Sequence, residues 1–488
     1  MLISSSGLSK VKDSVKEKIF FGQEPSTELL AILTIYFVQG ILGLSRLAVS
    51  FFLKDELGLS PAQVSSLLGI VALPWVIKPV FGLISDGLPI FGYRRRPYLV
   101  LSGILGTISW VSLATKVHTP TAAIAVITLS SLSVAISDVI VDSLVVERAR
   151  AESQAEAGSL QSLCWGTSAF GGLITAYFSG LLLEHFSTRT VFLITATFPL
   201  IISLVAWLIA ESPINAAATS DSNHLTNQVT VGEQIKRLRQ AIAQKSIWLP
   251  AAFIFIWQAT PSADAAFFFF TTNELGFEPE FLGRVRLVTS IASLVGVWIF
   301  QRFLKTVPFR VIFGWSTVLS AVLGMTMLLL VTHANRTLGI DDRWFSLGDS
   351  LILTVMGQIA YLPVLVLAAR LCPPGVEATL FASLMSVSNL ASLCSYQLGA
   401  LLMRWFGISQ NNFELLWLLV VIANVSTLLP LPFLNWLPAG EEKTEMPTQP
   451  VPALEADTTT TKEIGQTFLP NFSEFVPQSM QRKPVESE

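Results

Sequence analysis

The chain has 488 residues, of which 52% are hydrophobic and 13% charged, and its formal net charge is −3. Soluble domains carry about 25% charged residues, so this composition and a mean hydropathy of +0.60 exclude an ordinary soluble protein. No basic face accompanies the slightly acidic balance, and we expect no nucleic-acid partner. The composition indicates a protein that crosses the lipid bilayer many times.

Apolar segments close to the ~20 residues of a membrane-spanning helix follow one another along the chain. In the first half they lie at 29–53, 62–84, 98–115, 120–146, 158–183 and 190–210. In the second half they lie at 247–271, 281–301, 309–332, 345–369, 377–403 and 413–437. We therefore predict an all-α polytopic membrane protein with twelve transmembrane helices.

The remaining residues divide the chain into domains. Residues 1–28 form an N-terminal segment, and residues 438–488 are rich in Pro, Thr, Glu and Gln, which predicts a disordered tail. We predict one six-helix bundle at 29–210 and a second at 247–437. The linker at 211–246 is predicted to contain an amphipathic helix that begins with a capping-box pattern and lies at the membrane surface.

Lys and Arg accumulate on one side of the predicted membrane, and this bias sets the orientation of the chain. With a cytoplasmic N-terminus, the cytoplasmic side holds the N-terminal lysines, the Arg94–Arg96 cluster and the basic residues of the linker. Residues 1–28 lack an apolar core followed by a cleavage site, so we expect no cleaved signal. We predict an integral protein of the cell (inner) membrane, a monomer with both termini cytoplasmic.

Two short patterns recur at almost the same spacing. Glu-Leu-Gly at 56–58 recurs at 274–276, an offset of 218, and Tyr-x-x-Gly-x-Leu-Leu at 177–183 recurs at 396–402, an offset of 219. Chance identity of short apolar patterns is one explanation. The other, which we adopt, is two pseudo-symmetric six-helix bundles related by a parallel twofold axis, as in the major facilitator fold.

Several longer motifs carry a family resemblance. They are Trp75–Asp86, Gly92–Tyr98, Asp138–Arg150, Gly158–Trp165, and Cys372–Glu377 leading to Asn389. From about Phe21 to about Leu437, the chain resembles the folate–biopterin transporter family of the major facilitator superfamily. The resemblance implies a secondary active transporter that takes up folates or related pterins by alternating access, with proton coupling.

Other functions stay open on the residues alone. The chain could carry another organic anion or a lipophilic compound, or act as a non-transporting membrane receptor. An enzyme would need a nucleophile–base pair or a metal cluster at membrane depth, and the three cysteines and four histidines are too scattered to form one. We therefore predict no catalytic residue, no metal site and no cofactor.

Asp138 and Asp142 lie inside the fourth predicted helix and share one of its faces. A carboxylate near the bilayer centre costs roughly 2.5–3.5 kcal/mol, so this face must meet protein or water. The apolar setting and mutual repulsion disfavour two ionised carboxylates, which makes the pair a candidate proton-coupling site. The alternative is a buried pairing with Arg46, Lys78 or Arg148 that only fixes helix packing.

Asp264 shares one face of the seventh helix with Trp257 and Phe268. A carboxylate can accept the adjacent N–H donors of a pterin, and aromatic rings can stack on it. Arg46 in the first helix suits the glutamyl carboxylates of a folate, or it pairs with Asp264 and the pair opens and closes during transport. Gln161 and Gln358 could bind the substrate or hold helices together.

The superfamily signature between the second and third helices has a glycine, an aspartate and a basic cluster. This chain lacks a basic residue directly after its aspartate and inserts residues 88–91. Charges at the ends of the fourth and tenth helices suit a cytoplasmic gate, or interfacial anchors and salt bridges. The gating candidates are Asp86, Arg94, Arg95, Arg96, Glu147, Arg148, Arg150 and Arg370.

Overall fold

A computed structural model describes residues 23–149, 154–211, 213, 243–304, 307–371 and 377–438. Within these ranges the regular structure is helical, apart from one isolated bridge between Ile90 and Tyr93. The all-α prediction is therefore confirmed for the described part of the chain. The predicted amphipathic helix of the linker and the predicted disordered tail lie outside it.

Six helices form the first half of the chain. Helices α1 to α6 occupy Thr27–Glu56, Pro61–Gly87, Arg96–Thr115, Pro120–Ala149, Gln154–His185 and Thr188–Leu208. Serine caps begin several of them: Ser26 accepts a hydrogen bond from the Leu29 N–H, and Ser60 and Gln63 form a reciprocal capping box. These caps satisfy N–H groups that have no partner within the helix.

The second half repeats this order with one interruption. Its helices are α7a Lys245–Gln258, α7b Asp264–Phe269, α8 Pro279–Leu304, α9 Phe309–Val331, α10 Asp342–Arg370, α11 Glu377–Trp405 and α12 Leu416–Trp436. Residues 259–263 separate α7a from α7b. Pro261 accounts for this break, because proline lacks an N–H and disfavours helical geometry in the residue before it.

Ten helices in the described residues are long and apolar enough to cross a membrane. The predicted segments 247–271 and 377–403 are not among the ten. The first is interrupted, and the second is one continuous helix whose serines, Asn389 and Gln397 lower its hydropathy. The structure confirms a helical membrane architecture, and the count of twelve spans stays a prediction.

The recurring Glu-Leu-Gly pattern marks the same local structure in both halves. The helices end in π-helical turns at Phe52–Glu56 and Phe270–Glu274. The glycines that follow, Gly58 and Gly276, have φ values of +62° and +65°, a left-handed conformation that glycine adopts without steric cost. The sequence repeat therefore encodes a repeated helix ending.

Among the described residues, the two halves share an apolar core at one end of the bundle only. The largest core cluster contains Phe52 and Leu53 of α1 together with Phe269 and Phe270 of the second half. We call this side, which holds Lys54, the Lys54 end. At the opposite side, the arginine-rich end with Arg94–Arg96, the buried clusters each belong to a single half.

Glycines allow two helices from different halves to cross closely. A Cβ atom added at Gly180 of α5 would lie 2.7 Å from the Gly283 Cα of α8. Such a distance is not accessible to real side chains, so each helix needs glycine at this crossing. The α5–α8 crossing therefore lies at the level of Gly180 and Gly283.

Candidate functional site

An ion-pair cluster joins α1, α2 and α4. The Lys78 ammonium pairs directly with Asp138 and lies 3.8 Å from Asp142, one turn further along α4. The Tyr36 hydroxyl donates a hydrogen bond of 2.6 Å to Asp142. The ammonium also lies 5.2 Å from the ring centroid of Trp75, within cation–π range. Because two carboxylates share one ammonium, the ionised cluster has one negative charge in excess.

The two carboxylates differ in their access to solvent. The side chain of Asp138 is 16% exposed, whereas that of Asp142 is 49% exposed. Asp142 also lies within electrostatic range of the buried Cys164 on α5. The more accessible carboxylate is therefore the one with the longer contact to the lysine.

The interruption of α2 at Ile77 positions Lys78. Pro79 has no N–H, so the carbonyl of Trp75, four residues earlier, loses its helical donor. Asn389 of α11 supplies that donor, and its side-chain nitrogen lies 3.1 Å from the Trp75 oxygen. The same short stretch thus places the lysine beside α4 and bonds the first half to the second.

Arg46 of α1 and Asp264 of α7b are charged side chains of the membrane region that are nevertheless exposed. Both charges lie within electrostatic range of the Tyr396 hydroxyl of α11, and Arg46 also lies within electrostatic range of Arg286 of α8. Because Tyr396 and Arg286 belong to the second half, Arg46 lies near the boundary between the halves. Among the described residues, no ion pair joins Arg46 to Asp264.

The break in α7 is bonded to α11. The Ser262 N–H donates a hydrogen bond of 3.1 Å to the Ser395 carbonyl, and the Ser262 carbonyl lies against Gly399. A side chain at Gly399 would collide with this carbonyl. Asp264 begins the next helical turn directly after the break, and its carboxylate lies within electrostatic range of Tyr396.

The other predicted substrate ligands occupy different surroundings. Trp257 donates its indole N–H to Thr317 at 3.0 Å and packs edge-on against Phe313. Phe268 packs against Phe51 of α1 with ring centroids 5.2 Å apart, in the contact between the halves. Both rings therefore have packing partners in this conformation.

The two glutamine candidates are half-buried. Gln358 of α10 lies against Gly296 of α8, and its Cβ atom is 2.8 Å from the place that a Cβ would take at that glycine. Gln161 lies in the first part of α5. Substrate binding by either side chain stays a prediction.

Arg95 forms ion pairs with two of the predicted gating carboxylates. Its guanidinium lies 2.8 Å from Asp86 and 2.6 Å from Glu147, and it donates a further hydrogen bond to Ser85 at 2.9 Å. All of these residues belong to the first half. The cluster therefore ties the end of α4 to the turn between α2 and α3.

The remaining gating candidates are distributed differently. Arg148 donates to the Ser26 hydroxyl at 3.0 Å, which connects the end of α4 to the start of α1. Arg150 and the side chain of Arg370 lie outside the part of the chain that the structure describes.

Glu211 is a functional candidate that the sequence pattern does not reveal. Its carboxylate accepts hydrogen bonds of 2.6–3.2 Å from the backbone N–H groups of Arg94, Arg95 and Arg96 at the start of α3. Arg96 in turn donates to the Ile209 carbonyl at 2.6 Å. These bonds hold residues Arg94–Arg96 against the segment that follows α6.

Tyr36 and Arg286 were also absent from the predicted site. A tyrosine in an apolar helix is common, and only the contact with Asp142 distinguishes Tyr36. Arg286 lies close to the start of its helix in sequence, which suggested a position at the membrane surface. Its distance in sequence from Pro279, where α8 begins, could have indicated its depth. Seven residues of helix span about 10 Å, so Arg286 lies well inside the helix.

Three known proteins show what this chain is similar to. A folate–biopterin transporter of Synechocystis sp. is 59% identical over 97% of this chain and 97% of the relative. A probable folate–biopterin transporter of Arabidopsis thaliana is 32% identical, covering 85% of this chain and 84% of the relative. The solved structure of the nucleoside transporter NupG superposes with a TM-score of 0.63 at 14% identity, covering 84% and 99% of the two chains.

The structural similarity confirms the major facilitator fold, and the family and fold are those of transporters rather than enzymes. The profile of the BT1 family matches residues 39–451, which include both halves of the helical region. The chain belongs to the BT1 family.

Proposed function

We propose that the protein is a secondary active transporter of folates or related pterins, which takes up its substrate by alternating access and is coupled to protons. The names of its relatives support this substrate class. The observation that carries the proposal is that Arg46 and Asp264, which come from opposite halves, are both exposed and both within electrostatic range of Tyr396. A folate has donors at its pterin end and carboxylates at its other end, which suits these two charges.

The distribution of the apolar core supports alternating access. The halves are packed together at the Lys54 end and have separate cores at the arginine-rich end. A rocking motion about the central contacts would reverse this arrangement and expose the site to the other side. The excess of Lys and Arg at the arginine-rich end supports its assignment to the cytoplasm, in the cell membrane.

The cluster around Lys78 supports proton coupling. The ionised cluster carries one excess negative charge at membrane depth, and binding of one proton would neutralise it. Asp142 is the better acceptor of this proton, because it is the more exposed carboxylate and Asp138 pairs directly with the ammonium. Tyr36 and Cys164 are the other titratable groups that face Asp142.

Uptake of labelled folate into proteoliposomes tests the proposal. We expect accumulation against a concentration gradient when the outside is acidic, and loss of accumulation when a protonophore collapses the gradient. Unlabelled folate and a tail-free pterin should both compete with the label. Binding without flux would contradict transport, and accumulation that is insensitive to the protonophore would contradict proton coupling.

A further inference from the structure

Arg46 and Arg286 lie at the same depth on either side of α5. Gly43 of α1 lies beside Thr175, and Gly283 of α8 lies beside Gly180. Arg46 is one turn beyond Gly43 toward the Lys54 end, whereas Arg286 is one turn beyond Gly283 in the opposite direction. At 1.5 Å per residue, these offsets bring the two arginines to within about 2 Å of the same level along α5.

Among the residues that the structure describes, neither guanidinium has a protein anion to neutralise it. In the described ranges, no salt bridge involves Arg46 or Arg286. The two cations instead act on each other through space. Two like charges in the membrane region are unfavourable unless an anion joins them, so this arrangement indicates a place for a ligand anion.

We propose that Arg46 and Arg286 form a two-guanidinium site for a dicarboxylate, with one carboxylate group on each arginine. The planar guanidinium matches a carboxylate with two parallel hydrogen bonds. As far as it concerns the transported molecule, this inference rests on the proposed function, since a folate ends in a glutamyl group with two carboxylates. Asp264 repels carboxylates, so the diacid end binds away from it and the pterin end toward it.

Arg284 provides a matched control on the same helix. It lies two residues before Arg286, is 58% exposed, and forms a surface pair of 2.5 Å with Glu280. Substitution of Arg284 removes the same charge from α8 without touching the interior space. A difference between the two variants therefore reports on position rather than on net charge.

Binding to the purified full-length protein tests the site directly. The probes are 4-aminobenzoyl-glutamate, a diacid, and its γ-amide, a monoacid, measured by isothermal titration calorimetry. Arg286→Gln should weaken diacid binding at least about tenfold, because a charge-assisted carboxylate contact is lost, and should change monoacid binding much less. Arg284→Gln should leave both affinities unchanged, and Arg286→Lys should give an intermediate loss.

Folding of the variants is controlled by the thermal midpoint of the ligand-free protein. Because Arg286→Gln removes a repulsion, its midpoint should not fall below that of the wild type. Equal effects of Arg286→Gln and Arg284→Gln would overturn the site. Equal losses for the diacid and the monoacid would overturn the assignment of one carboxylate to each arginine.

The result is separable from the proposed function. Binding of the diacid that depends on Arg286, in a protein that moves neither folate nor pterin, would leave the site standing and refute the transport proposal. If wild type and Arg286→Gln transported folate with equal kinetics, and likewise a tail-free pterin, the site would be refuted and the transport proposal would stand.

Discussion

Lys54 donates a hydrogen bond of 2.8 Å to Asn273, and each of these residues lies in the π-helical turn that ends the first helix of its half. Lys54 is buried, and its ammonium also lies 5.7 Å from the Phe51 ring and 5.9 Å from the Phe269 ring. Asn273 donates onward to the Gln410 carbonyl at 2.9 Å. The corresponding helix ends of the two halves therefore meet and close the Lys54 end.

The first prediction concerns this closure. In a protein without its native cysteines, the pair Lys54→Cys and Asn273→Cys should be joined by a short reducible bis-methanethiosulfonate crosslinker, whose spacer replaces the length of the lysine side chain that reaches Asn273. Transport should stop on crosslinking and return on reduction, since the crosslinked Lys54 end could no longer open. The measurement is folate uptake before and after addition of the reductant.

The pair Glu56→Cys and Thr188→Cys is the control for the crosslink. These side chains also form a hydrogen bond, but both belong to the first half. Their crosslink should leave transport unchanged. Continued transport by the crosslinked 54–273 protein would show that the Lys54 end does not open during the cycle.

The second prediction separates coupling from binding. Asp142→Asn removes the excess negative charge of the Lys78 cluster and imitates its protonated form. We expect the variant to exchange internal for external folate at a rate near that of the wild type and to lose accumulation driven by a pH gradient. Accumulation with unchanged pH dependence would exclude Asp142 as the coupling carboxylate.

The third prediction assigns a structural task to Asp138. Asp138→Asn leaves the Lys78 ammonium without its direct ion-pair partner in a mostly buried position, and we expect a loss of stability of about 2–4 kcal/mol. The double variant Asp138→Asn with Lys78→Met should recover most of this loss, because the mostly buried ammonium is gone and the remaining carboxylate, Asp142, is half-exposed. Thermal unfolding in detergent measures both; additive losses would contradict the pairing.

The fourth prediction concerns the bond from Asn389 to the Trp75 carbonyl. Asn389→Ala leaves that part-buried carbonyl without a donor, which should cost about 1–3 kcal/mol. Pro79→Ala restores a helical N–H for the same carbonyl, so Asn389→Ala should cost much less in that background. An equal cost in both backgrounds would mean that Asn389 stabilises the protein by another contact.

The fold was largely predictable from hydropathy, because membrane-spanning helices must satisfy their backbone bonds internally and so appear as long apolar segments. The exception is the seventh segment, whose break at 259–263 depends on Pro261 and on a bond to Ser395 that only the folded chain provides. Local composition does not show such a partner.

The sequence predicts which types of residue form the candidate site better than it predicts which of them pair with each other. An intramembrane carboxylate signals polar neighbours, and Lys78 was one of three cations considered for Asp138 and Asp142. Choosing among them needs the interruption of α2, which determines where Lys78 lies relative to α4. Arg286 was missed because its depth depends on where α8 crosses α5, a contact between halves far apart in sequence.

The shared apolar core at the Lys54 end has a thermal consequence. In the proposed alternating-access cycle, opening that end would expose large side chains such as Phe52 and Phe270 to water, which contributes a positive heat-capacity change to the step. Apolar association weakens on cooling, which shifts the equilibrium toward the state with an open Lys54 end. The temperature dependence of folate exchange should therefore be curved rather than follow a single activation energy.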